Sequence, residues 1–273
     1  MPVWPRYAAW CRRWRLRGWL KTRPILAHGT EEPPAFLAAF DCVQHLAPWH
    51  LEQAGTALAQ YGDARPRPLW CAIPNFVDTE VFRPARSESK REASRAKLGL
   101  PAGGLLVGCA AVVKPDHKRI DYLIREFAAF AATPAGRDAH LVIAGAHQPD
   151  SKGLVALARA LTPDRVTFRF DLPRESMPDF YCALDVFTLT SLFEMMPIAV
   201  LEALASGIPA CVNRHPVLEW IIGTFGAEPG GVAVDMSRDG ALAAMLAGMY
   251  FYRIVERLRL SPPPVPRKVA ASA

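Results

Sequence analysis

Residues 185–213 read DVFTLTSLFEMMPIAVLEALASGIPACVN, and after Asp185 the only formal charges before Arg214 are two carboxylates, Glu194 and Glu202. The segment DVFTLTS is a short apolar run of the kind a buried strand makes. PIAVLEALAS reads as a helix with Pro197 at its first position and Gly207 just past its end, the favoured asymmetry. IPACVN is a second strand. Strand, loop, helix and strand in that order make a parallel unit, with Glu194 in the loop and Glu202 on the helix.

The same alternation runs outward on both sides. LLVGCAAV (105–112), HLVIAGA (140–146), RVTFRF and GGVAVD read as further strands. KRIDYLIREFAAFAAT, with Ile120, Leu123, Ile124, Phe127 and Phe130 at helical spacing, reads as a helix, as do KGLVALARAL, RESMPDFYCA and HPVLEWII. Ser237 is the expected cap of a closing helix. Six strands with intervening helices predict a doubly wound α/β sheet, whose ligands bind outside the carboxyl ends of the strands.

Glu202 sits among Ile198, Ala199, Val200, Leu201, Ala203, Leu204 and Ala205, so its helix is apolar nearly all round and belongs in a core. A lone buried carboxylate costs several kcal/mol unless it is hydrogen-bonded or protonated. Glu202 therefore needs a structural partner or a ligand. A carboxylate accepting two hydroxyls is how nucleotide-binding sheets hold a ribose. The helix start offers N–H groups and partial positive charge to a phosphate. Glu202 lies five residues beyond Pro197, about 7.5 Å along the axis. That spacing suits Glu194 near a sugar, Glu202 near a ribose and a diphosphate between them.

The chain has 273 residues, 51% of them hydrophobic and 21% charged, as in an ordinary globular protein. Its net charge of +6 is local: residues 1–23 hold seven basic residues and no acid, and elsewhere 25 basic residues face 26 acidic ones. The remainder is close to neutral and carries no nucleic-acid footprint. Residues 1–23 interleave four tryptophans with arginines. As a helix they would place Trp4, Tyr7, Cys11 and Trp14 on one face, which reads either as a solvated end or as a peripheral membrane contact. No apolar run is long enough to span a bilayer. The six cysteines lack paired spacing and read as reduced core residues of a cytoplasmic protein, with no metal site. The tail 261–273, rich in proline, reads as disordered.

The pattern Glu194-MMPIAVL-Glu202-ALASGIP resembles the E-x7-E motif of retaining GT-B-fold glycosyltransferases of family 4. IPNFVDTEVFRP (73–84) is similar to the family's interdomain segment, and VGCAAVVKPDHKRIDYLI to its strand–loop–helix; the resemblance spans roughly 70–250. It implies a GT-B-like fold: one complete Rossmann-like donor domain (85–260) and an incomplete N-terminal α/β portion with linker (24–84). About 80 residues precede the linker, roughly half of what a domain of this class needs, so the resemblance implies a truncated chain. It further implies a UDP- or GDP-sugar donor, no cofactor and an unknown polysaccharide or glycolipid acceptor; the cysteines and residues 1–23 point to a cytoplasmic location or a peripheral one on the inner membrane face.

By the same resemblance Glu202 would hold the ribose and Glu194 the donor sugar. The loop at Met195, Met196 and Ile198 would face the diphosphate. Lys118 would neutralise the leaving diphosphate, and His28 would stand near the donor sugar. The family's arginine falls at Val113, with Lys114 adjacent as a substitute that lacks the bidentate fork. Phe76 stands where the family has glycine, a position strained if φ is positive. Two further readings stay open: a donor-binding remnant without transferase activity, and an acceptor-free nucleotide-sugar enzyme such as an epimerase.

Overall fold

The structure, a computed structural model, describes residues 3–19, 21, 25–29, 34–37, 40, 42–60, 69–85, 87–224 and 226–251. The tail 261–273 and the last nine residues of the expected donor domain lie outside the described residues. The chain divides into two compact units, Met1–Asn75 and Phe76–Ala273.

The first unit holds α1 (Val3–Leu16), β1 (Ile25–His28), α2 (Pro34–Leu37), β2 (Cys42–His45), α3 (Pro48–Gln60) and β3 (Leu69–Ala72). The strands are parallel in the order β1-β2-β3, with Leu37, Phe40, Val43 and Ala54 as a small core. Of the face expected for α1, the described members Cys11 and Trp14 are more buried than Trp10 or Trp19. Cys11 is buried, whereas Trp10 is 47% and Trp19 65% exposed; the Trp14 ring lies between theirs, tilted at 4.2 Å from Trp10 and edge-on at 5.6 Å from Trp19. The side chains of Trp4 and Tyr7 lie outside the described residues.

The second unit begins with α4 (Glu88–Lys97), β4 (Leu106–Ala110), α5 (Ile120–Ala131), β5 (His140–Gly145), α6 (Ser151–Leu161) and β6 (Val166–Phe170). It continues with α7 (Met177–Ala183), β7 (Val186–Leu189), α8 (Ile198–Ala205), β8 (Ala210–Asn213), α9 (Pro216–Ile221), β9 (Gly231–Val234) and α10 (Ala241–Phe251). The six strands are parallel in the order β6-β5-β4-β7-β8-β9. Successive residues of each strand feed opposite faces. Val107, Cys109, Leu141, Ile143 and Cys211 pack under α5, α6 and α10; Leu106, Val142, Phe187, Leu189 and Val212 pack under α7, α8 and α9. Both faces are covered, which is why these strands read as unbroken apolar runs.

Two local details differ from the sequence reading. Ser237 does not cap α10: its hydroxyl bonds Asp235, and the first amides of α10 are received by Glu126 of α5, from Gly240 (2.6 Å), Leu242 (2.9 Å) and Ala243 (3.0 Å). Pro197 is the N-cap of α8 rather than its first turn. Phe76, 90% exposed, is not among the residues with positive φ, so the substitution for glycine imposes no left-handed strain.

Candidate functional site

The chain leaves β4 for one face of the sheet and β7 for the other, although β4 and β7 are neighbours. Beyond their carboxyl ends the two loops part, and this switch point is where open α/β sheets bind ligands. Lys118 comes from the loop after β4 and Glu194 from the loop after β7. They meet across the gap, Nζ donating to Oε1 at 2.6 Å, both largely buried.

The two loops are fixed to one another by other means as well. Leu192 N donates to His117 O at 2.8 Å, and the His117 ring stacks on Phe193 at 5.1 Å. Burial, with Lys118 and Lys114 beside it, holds His117 below its ordinary pKa. Thr190 Oγ1 donates to Lys118 O at 2.9 Å. Asn213, at the end of β8, ties the loop after β7 to the loop after β9: its amide donates to Ser191 O and its carbonyl accepts from Met236 N.

Lys118 is aimed by a strained neighbour. Arg119 has φ +52°, a left-handed conformation that costs a side-chain-bearing residue about 1–2 kcal/mol. It is held there by a 2.5 Å bond to Met236 O and by its guanidinium lying 4.0 Å from the Tyr122 ring centroid. Asp171 is left-handed too, at the end of β6. Backbone strain of this kind collects at functional edges.

Glu202 points elsewhere than Glu194. It is buried on α8, and its Oε2 accepts the Tyr181 hydroxyl of α7 at 2.8 Å. Burial lifts its pKa above the ordinary glutamate value, and Tyr181 and then Arg174 pull it partly back. The structural partner that a buried acid requires is thus Tyr181. Met195 and Met196 are buried in the turn before α8, Ile198 is 42% exposed, and no side chain caps the helix. Lys114 faces Asp116 in its own loop, 3.2 Å away, and Val113 is fully buried. His28 ends β1 in the first unit. Its Nδ1 lies 3.0 Å from His45 Nδ1, and burial together with His28 lowers the pKa of His45 to about 4.

A cleft of about 350 Å³ opens at the ends of β4, β5 and β6, lined by Ala110–Val112, Ala144–Ala146, Asp171, Leu172 and Met177. Gly145 allows the close approach there, since a Cβ would fall 1.7 Å from Ala111 O. Lys118, Glu194 and Glu202 do not line this cleft. Along the chain, Val112 precedes Lys118 by six residues, and Met177 lies one turn before Tyr181, the partner of Glu202. These lining residues, Tyr181, Arg119 and Asn213 escaped the sequence reading.

The model of glycosyl transferases group 1 matches residues 90–248, more than half of the chain. The chain belongs to this family. Within it, D-inositol 3-phosphate glycosyltransferase of Nocardia farcinica is 29% identical over 204 residues, covering 72% of this chain and 40% of that protein. Mannosylfructose-phosphate synthase of Agrobacterium fabrum is 28% identical over 149 residues, 52% of this chain and 32% of that protein. The chain therefore spans less than half the length of these relatives. Among solved structures, sucrose-phosphate synthase from Thermosynechococcus elongatus superposes with a TM-score of 0.71 at 20% identity, covering 92% of this chain and 64% of that one. HepE of Anabaena, solved with UDP and glucose, gives 0.66 at 19%, covering 84% and 59%. These likenesses show the fold, a GT-B-like α/β architecture with parallel sheets.

Proposed function

We propose that this chain is the donor-binding part of a retaining family 4 glycosyltransferase, taking a UDP- or GDP-sugar and passing the sugar to a polysaccharide or glycolipid acceptor. What supports the reading is the Lys118–Glu194 pair at the switch point, with Glu202 one helix turn and more beyond it. In this reading the ribose hydroxyls bind Glu202. The diphosphate lies at the start of α8, by Met195, Met196 and Ile198, where helix amides and the helix dipole favour negative charge. Lys118 leaves Glu194 for the diphosphate, where a preplaced cation stabilises the charge that develops on the departing nucleotide. Glu194, released, accepts from a hydroxyl of the donor sugar. Lys114 adds charge at the loop's edge. Lys118 and the helix amides carry the charge without a metal.

A thermal-shift panel of UDP-, GDP- and ADP-sugars, followed by assays of donor hydrolysis and transfer, tests this. Stabilisation with turnover is expected, and no stabilisation by any of them would remove the reading. Stabilisation without turnover would favour a donor-binding remnant, which the buried Val113 in the arginine position supports. We propose as well that α1 rests on an anionic membrane surface: the exposed Trp10 and Trp19 lie among exposed Arg13 and Arg17, with Arg17 over Trp19 at 5.3 Å. Co-sedimentation with phosphatidylglycerol-containing vesicles but not with phosphatidylcholine alone is the expected result, lost in Arg13→Glu/Arg17→Glu.

A further inference from the structure

Tyr181 has no part in the chemistry above, yet its placement is specified from every side. The residue is fully buried. Phe180 packs at 5.3 Å, Phe187 of β7 at 5.8 Å and Phe82 at 5.8 Å, all by ring centroids. Phe82, itself 4% exposed, comes from the segment that precedes α4. So boxed, the ring can present its hydroxyl in one place, and there it donates to Glu202 Oε2 at 2.8 Å. Burial and the Glu202 charge hold the phenol well above its ordinary pKa, so it remains a donor.

A glutamate side chain has three rotatable bonds, and ordering one is opposed by rotamer entropy of about 1.5–2 kcal/mol. A carboxylate offers about four lone-pair sites. Tyr181 occupies one and removes the rotational freedom, leaving Oε1 and the rest of Oε2 to a ligand. Two neighbouring hydroxyls require a carboxylate held in one plane, since each must meet its own acceptor.

We propose that Tyr181 is a positioning residue that fixes the plane of Glu202 for a vicinal diol, so that the chain discriminates ribonucleotides from deoxyribonucleotides. The proposal rests on the donor-site reading given above. It predicts an effect on selectivity, which packing alone would not produce. Phe82 enters the same device from outside the nucleotide site, because it braces the ring that braces the acid.

The test compares UDP and GDP with 2′-deoxy-UDP and 2′-deoxy-GDP by calorimetry, in the wild type, Tyr181→Phe and Glu202→Ala. Tyr181→Phe keeps the ring and is expected to lose about tenfold in affinity for the ribonucleotide, the worth of one hydrogen bond to a charged group. Affinity for the deoxy form should change less than about threefold, so that the ribo/deoxy ratio collapses. An unchanged ratio in Tyr181→Phe, with Glu202→Ala abolishing it, overturns the role of Tyr181 and leaves the donor site standing. An unchanged ratio in Glu202→Ala overturns the donor-site reading and the proposal with it. Should Tyr181→Phe fail to fold, Phe82→Leu reads the same device: a roughly threefold fall in the ratio is expected, and no change overturns the proposal.

Discussion

At the amino edge of the six-stranded sheet, Asp185 accepts from Arg91 (2.6 Å), Arg95 (2.8 Å) and the Leu106 amide (2.6 Å). Arg95, 2% exposed, also donates to the carbonyls of Ala183, Ala102 and Gly104. At the carboxyl edge, Lys118 and Glu194 share a single bond on two loops, and Glu202 takes one from Tyr181. Both ends bury charge. The amino-edge cluster uses backbone groups to satisfy nearly every donor, and so joins α4, β4 and β7 into one piece. The carboxyl-edge groups have bonding capacity to spare. Buried charge with its partners built in holds a fold together; buried charge with open valences is prepared for something that arrives.

The first way to break this contrast is Arg95→Met. Removing one partner of a buried ion pair costs about 3–5 kcal/mol, so a large loss in denaturant midpoint is expected with nucleotide affinity of the folded protein unchanged. A stable variant that has lost nucleotide binding would reverse the assignment of the two edges. Lys118→Ala should do the opposite. Loss of a charged hydrogen bond, about 1.5–3 kcal/mol, lowers nucleoside diphosphate affinity roughly 10- to 100-fold while leaving the bare nucleoside nearly unaffected. Equal losses for both, measured calorimetrically, would take Lys118 off the phosphates.

Acidification gives a smaller effect and sharpens the role of Glu202. Its pKa is raised in the fold, so protonation begins at a higher pH than for an ordinary glutamate. The sign follows: the carboxylate accepts hydroxyls above its pKa, and nucleoside affinity falls as pH drops through that raised value. The free fold behaves oppositely at this residue, because a folded-state pKa above the unfolded one means that stability is gained as the proton binds. Titrating affinity from pH 8 to pH 5 in wild type and Glu202→Gln checks it, and parallel curves would sever the link. Smallest is Arg119→Gly, which relieves left-handed strain of about 1 kcal/mol but loses the Met236 bond, so stability should move by less than about 1 kcal/mol. A loss of several kcal/mol on denaturant titration would mean that Arg119 is a structural anchor.

From residue 100 onward most of the fold is legible because parallel strands buried on both faces read as apolar runs and their helices show the 3.6 period. Glu202 announced itself as an acid in a helix apolar on all sides. What remained hidden depends on groups distant in the chain. The cap of α10 is Glu126, 114 residues before the amide of Gly240, so the nearby Ser237 misled. The partner of Glu202 lies on another helix, and a tyrosine in FYCA looks like any core aromatic. β2, only CVQH, has two polar residues of four and no periodicity to read.

The Lys118–Glu194 contact has a further consequence if the diphosphate takes the lysine. Until then the two charges neutralise each other, and neither awaits a counter-ion from solvent. In the proposed reaction, turnover would begin by exchanging one anion for another on the same ammonium, and Glu194, competing for it again, would help evict the spent nucleotide.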